Sequence, residues 1–136
     1  MIPVGRIECV VADISAKKLI LCVEDQPETS ELIAAILVEY EVESVDNIQA
    51  ARSMLATQKF SLIVLDYNLP DGDGLSFCRE IRRVGLQTPV IFITGDPTIT
   101  EAIVQNSGGQ RLIEKDSLTF IDELISESDS LSITVA

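Results

Sequence analysis

Five short strand-like runs alternate with five segments of helical period, and this alternation constrains the chain more than any other feature of its 136 residues. The runs are KKLILCV, VESV, SLIVL, PVIFIT and RLIE. Most are apolar at successive positions rather than at every second one, the pattern of strands covered on both faces. Between them, Leu32, Ile33, Ile36 and Leu37 recur at helical spacing, as do Ile48, Ala51, Met54 and Leu55, and then Leu75, Cys78, Ile81 and Arg82. Asp46, with Gln49 three residues on, predicts a capping box for the second helix, and Gly85 predicts the stop of the third. PTITEAIVQNSGG predicts a shorter fourth helix closed by glycines, and SLTFIDELISE a last amphipathic one. The expected fold is a doubly wound (βα)5 α/β parallel sheet with helices on both faces, in the flavodoxin-like strand order 2-1-3-4-5. The folded unit is expected over 18–126, preceded by an extension of unassigned role over 1–17 and followed by a polar tail over 127–136.

Charge narrows the function. Against 22 acidic residues stand 10 basic ones, a net charge of −12, so a surface for nucleic-acid phosphates is not expected. No run reaches the roughly 18 apolar residues of a membrane span, and no basic segment followed by an apolar signal core opens the chain. A cytoplasmic protein without membrane contact is expected. Cys9, Cys22 and Cys78 form an odd set without paired spacing and are read as reduced thiols. Histidine is absent, so any phosphohistidine must come from a partner.

Ligands of such sheets bind beyond the carboxyl ends of the strands. There the first strand ends in Glu24 and Asp25, the third in Asp66, the fourth in Thr94 and the fifth in Lys115. Three carboxylates at one edge repel unless a cation intervenes, and oxygen-only donors select a hard ion, for which Mg²⁺ is the best fit. A carboxylate nucleophile, a metal, a lysine and a hydroxyl together describe a phosphoryl site. Taken singly these residues are ordinary: an acidic pair before Pro27, an Asx turn before Pro70, a turn hydroxyl, an exposed lysine. Their meaning lies in the combination. A calcium loop over Asp66 to Phe77 is excluded, because Pro70 and Phe77 stand at ligand positions and no glutamate closes it.

From Lys18 to about Ser126 the sequence resembles the receiver domain of response regulators, through Glu24–Asp25, LIVLDYNLPDGDG, VIFITG and Lys115. The resemblance implies that Asp66 accepts a phosphoryl group from a sensor histidine kinase or a histidine phosphotransfer protein. It implies Mg²⁺ held by Glu24, Asp25, Asp66 and the backbone carbonyl of Asn68, with Thr94 and Lys115 on the phosphoryl oxygens. It implies a downstream effector protein as the recipient of the signal, and no dedicated turnover of a substrate beyond slow self-dephosphorylation. Two positions depart from the pattern. Asp116 follows the lysine where a proline is usual, so a trans bond is expected there, and Leu112 replaces the usual switch aromatic. The face that pairs some receivers would here oppose Glu101, Asp116, Asp122, Glu123 and Glu127 to their own copies, which predicts a monomer or weak dimer. Three rival readings remain: a receiver-like binding module that acts without phosphorylation, an aspartate-nucleophile phosphatase and a flavodoxin-like mononucleotide carrier. The phosphatase normally carries a second aspartate where Asn68 stands, and acids in the first loop disfavour the carrier.

Overall fold

The computed structural model describes residues 17–134. The extension expected over 1–17, apart from Lys17, lies outside the described residues, as does Cys9. Five parallel strands, β1 (Leu19–Val23), β2 (Glu41–Val45), β3 (Leu62–Asp66), β4 (Val90–Thr94) and β5 (Arg111–Glu114), form one sheet in the order β2-β1-β3-β4-β5. The helices are α1 (Pro27–Ile36), α2 (Ile48–Thr57), α3 (Gly74–Arg83), α4 (Glu101–Asn106) and α5 (Phe120–Thr134). The order and the alternation are those the sequence predicts.

Successive strand residues point to opposite faces. Leu21, Val23, Ile63, Leu65, Val90 and Phe92 pack with Ala51 of α2, Phe77 of α3 and Val104 of α4. Ile20, Cys22, Val64, Ile91 and Ile93 pack with Ile33 of α1 and with Phe120 and Leu124 of α5. Each fully buried side chain of this size contributes about 1.5–3 kcal/mol. β1, β3 and β4 are buried almost throughout and apolar up to their carboxyl-end residues, whereas the edge strands β2 and β5 are partly exposed, which is why VESV and RLIE carry charges. Cys22 and Cys78 are buried and free, and burial, aided by the nearby Glu24 charge, pushes the Cys22 thiol up to about 12. No helix among the described residues is long and apolar enough to cross a membrane.

Three boundaries differ from the sequence reading. The cap of α2 is Asn47, whose side chain accepts from the Ala50 N–H, while Asp46 accepts a bond from the Asn47 side chain. The first two N–H groups of α2, those of Ile48 and Gln49, are taken by the carboxylate of Asp71, which arrives from the loop after β3. Helix α1 ends at Ile36, so Leu37, the last residue of its helical spacing, is the C-cap. The expected tail is the third difference: α5 continues through 127 to Thr134, with Ser128 and Ser132 buried and Lys18 donating to the Ser132 carbonyl at 2.7 Å. Small serines let the helix lie close to the sheet, so polar residues that read as a tail are a packed face.

Helix α3 stops as predicted. Gly85, at φ +91°, donates to Arg82 while Leu86 donates to Ile81, and Gly108, at φ +102°, ends α4 by the same pair of bonds. The two ends are joined by Arg82, whose guanidinium donates to the Gly108 carbonyl at 2.8 and 3.0 Å and to the Leu86 carbonyl at 2.9 Å. At the other end of α4, the Glu101 carboxylate accepts the Leu112 N–H of the edge strand β5 at 3.2 Å.

Candidate functional site

Parallel pairing brings the carboxyl ends of β1, β3, β4 and β5 to one edge. Val23 is opposite Leu65, Asp66 opposite Ile93, and Thr94 opposite Glu114, so the residues that close these strands follow one another across the sheet. Backbone bonds fix the loops they enter: Glu24 donates to Val45, Tyr67 to Ile93 and Lys115 to Thr94. The apolar strands anchor the polar ends, because a slip by one residue would send every strand side chain to the opposite face, against helices it does not fit.

Glu24, Asp25 and Asp66 each offer a carboxylate oxygen within 4.8 Å of the others. Glu24 and Asp66 are buried and Asp25 is exposed, so the cluster is open to solvent on one side. The Lys115 ammonium lies 2.7 Å from Glu24 Oε1 and donates to Asp66 Oδ2 at 3.1 Å. Glu24 Oε2 accepts the Gln26 N–H at 3.0 Å. Burial raises the pKa of Glu24 and the Asp66 charge adds to this, with Lys115 and the Gln26 N–H opposing. Burial alone would lower the pKa of Lys115, but the two carboxylates outweigh it and hold the ammonium protonated. Glu24 Oε1 is buried against the Lys115 ammonium. Three carboxylates sharing one ammonium, with no imidazole or thiolate between them, fit a hard divalent cation.

Thr94 is buried, its Oγ1 accepting the Asp96 N–H at 3.0 Å, and its hydroxyl hydrogen has no acceptor among the described residues. A donor is therefore available at the end of β4. Asn68 is exposed two residues beyond Asp66, where Asn68–Leu69 pairs with Gly72–Asp73 in a short antiparallel ladder. The first residue of α3 is a glycine because a Cβ there would lie 2.4 Å from the Asp66 carbonyl oxygen. Gly74 also donates to the Tyr67 carbonyl at 2.7 Å, which seats the helix directly behind the acidic strand end. Among the described residues there is no cis peptide bond, so the bond between Lys115 and Asp116 is trans. Leu112 is partly buried against the core on the α2–α3–α4 side of the sheet.

The residues that sequence reasoning missed are the ones that brace the site. Asp71 ties the loop after Asp66 to α2, and Gly74 sets the approach of α3. The turn-rich string DYNLPDGDG announces a loop here, but the partner of Asp71 lies 23 residues away and has no local signature.

Comparison with known proteins gives one consistent result. The family model described as the response regulator receiver domain matches residues 20–125. The response regulator protein PilR of Pseudomonas aeruginosa is 36% identical over 85 residues, 61% of this chain and 19% of that protein. The transcriptional regulatory protein TcrA of Mycobacterium tuberculosis is 36% identical over 93 residues, 66% of this chain and 36% of that protein. The chain thus spans well under half the length of these curated relatives. Among solved structures, the receiver domain of Francisella response regulator 1452 superposes with a TM-score of 0.80 at 24% identity, over 88% of this chain and 99% of that one. The Thermotoga maritima response regulator TrrA, solved in complex with Mg²⁺ and BeF, has a TM-score of 0.74 at 26% identity, over 84% of this chain and 98% of that one.

Proposed function

This chain belongs to the response regulator receiver domain family, and from that premise we propose that Asp66 accepts a phosphoryl group from the phosphohistidine of a sensor kinase or histidine phosphotransfer protein. The observation that carries this reading is the Asp66 carboxylate at a sheet edge, hydrogen-bonded to Lys115 and clustered with Glu24 and Asp25.

An Asp66 oxygen attacks phosphorus in line with the donor nitrogen. The O–P bond forms as the N–P bond breaks, the electron pair stays on the imidazole, and a proton from solvent completes the freed histidine. The product is a mixed acyl phosphate. Lys115 holds a positive charge where the phosphoryl oxygens arrive, and Thr94 offers its hydroxyl hydrogen to one of them. Glu24, Asp25, Asp66 and the Asn68 carbonyl would hold Mg²⁺, which when bound neutralises the phosphoryl charge. Hydrolysis of the acyl phosphate resets the domain slowly, without turnover of a separate substrate. The signal passes to a downstream effector protein, and the chain works in the cytoplasm.

The test is incubation with a small phosphodonor such as phosphoramidate in the presence of Mg²⁺, read by intact mass and by acid-labile label. Wild type gains one phosphoryl group and Asp66→Asn gains none, because an amide is a poor nucleophile and a weaker metal ligand. Equal labelling of both sinks the assignment. An unlabelled wild type that still binds a partner would instead support a module acting without phosphorylation.

A further inference from the structure

Two apolar surfaces of this chain have no role in the acidic site. One is a cleft between α2 and α3, in two parts of about 390 and 530 Å³ that share Leu55, Ala56 and Leu86. Its wall includes Phe77 and Val84, and Val84 is 78% exposed. The other is the outer face of α5 and the residues just before it. Leu118 is fully exposed in the turn just before the helix, and on α5 Ile121 is 48% exposed and Ile125 38% exposed, four residues apart and so on one face.

The charges around these surfaces are opposite. The chain as a whole carries −12, yet the exposed residues at the cleft include Arg52 and Lys59, with Arg83 beside Glu80. Glu80 and Arg52 at the cleft pair with each other at 2.5 Å and cancel, which leaves Lys59 and Arg83 as the charge beside it. The ridge on α5 is flanked by exposed Asp122 and Asp129. Ridge against ridge would bring like charges together, and cleft against cleft would do the same. Ridge against cleft pairs both the apolar surface and the charge.

We propose that the α2–α3 cleft receives the Leu118–Ile121–Ile125 ridge of α5 from a second copy of this chain. The contact is heterologous: each copy offers a ridge to one neighbour and a cleft to another, so it builds a ring or a short chain instead of a closed twofold pair. Helix-in-groove binding with Ile121 and Ile125 as anchors one turn apart, extended by Leu118 from the preceding turn, is the form it takes. Screened by salt, it weakens as ionic strength rises.

Sedimentation velocity of the full chain over a concentration series is the experiment, with Val84→Glu to block the cleft and Ile121→Glu to block the ridge. Both positions face solvent, so thermal melting should match wild type; a variant that does not fold is replaced by Val84→Ser or Ile125→Ser. Wild type should self-associate reversibly, and each variant alone should lose at least about tenfold in affinity, a change of about 1.4 kcal/mol. An equimolar mixture of the two variants retains one good cleft and one good ridge, and should form a 1:1 complex and nothing larger. Wild type that stays monomeric, variants that associate like wild type, or a mixture that stays monomeric would each overturn the proposal. Monomeric wild type that captures an unrelated acidic amphipathic peptide in the cleft would also overturn it, by assigning the cleft to a different occupant.

Discussion

Replacing Lys115 by methionine keeps most of the side-chain volume and removes the charge that two buried carboxylates share. The ammonium is 2.7 Å from Glu24 and 3.1 Å from Asp66, and those side chains are almost closed to water. Removing one partner of a buried ion pair costs about 3–5 kcal/mol, because the charge left behind is uncompensated. Here the remaining carboxylate oxygens lie within 4.8 Å of one another. At that distance their repulsion is about 3.5 kcal/mol for an effective dielectric constant of about 20. These figures describe one effect from two sides and do not add. Part of it is relieved by protonation of Glu24, whose pKa is already raised, and a loss of about 3 kcal/mol in metal-free buffer is expected. Mg²⁺ should then restore most of it, since a ligand at about 100 times its Kd stabilises the native state by about 2.7 kcal/mol. The variant should gain more from Mg²⁺ than wild type does, the ammonium no longer competing for the same oxygens. Urea denaturation of both proteins, each with EDTA and with Mg²⁺, measures all four values. A variant as stable as wild type in EDTA, or one indifferent to Mg²⁺, would refute the reasoning.

Gly74→Ala should destabilise the fold by about 1–3 kcal/mol despite better helix propensity, because the new Cβ meets the Asp66 carbonyl at 2.4 Å, and it should slow labelling of Asp66 by phosphoramidate. Normal stability with normal labelling would show that α3 yields freely. Asn47→Ala should cost about 1 kcal/mol in urea melts and Asp46→Ala less than about 0.5, the reverse of what a capping box at Asp46 requires. Glu80 has its pKa lowered below the ordinary 4.5, chiefly by the Arg52 hydrogen bond. The folded value being the depressed one, this stabilisation is present above the ordinary value and is lost as pH falls through the folded one. Glu80→Gln should therefore flatten the stability profile slightly, by a few tenths of a kcal/mol for so exposed a pair, as pH falls below the ordinary carboxylate value.

The site was legible because each of its parts closes a strand. Glu24, Asp66 and Thr94 follow directly on apolar runs, and a parallel sheet delivers strand ends to one edge whatever the loops do. The strand order was legible as the common arrangement of a doubly wound sheet of this size, and the interior strands β1, β3 and β4 carry no charge before their carboxyl ends. What the string could not reveal depends on contacts between distant segments. The choice of Asn47 over Asp46 as cap rests on Asp71 holding the neighbouring N–H groups from 23 residues away. The end of α5 depends on serines packed beneath it and on Lys18, at the far end of the chain, reaching its last turns. Arg82 read as one more residue at helical spacing, whereas its three bonds to carbonyl oxygens bind one helix end to another.

That last tie gives α4 two unequal ends. At Gly108 the short helix is pinned by a planar guanidinium with two bonds to one carbonyl; at Glu101 it is held to the neighbouring strand by a single flexible carboxylate. Mechanically, α4 is a door with its hinge at Gly108 and its latch at Leu112. A pull on the loop that follows Thr94 acts on the latch side, so it swings the helix instead of sliding it, and the first bond to open is the one that covers the outward N–H of β5. Amide exchange should record this as early deprotection of Leu112 while Gly109, beside the hinge, stays protected.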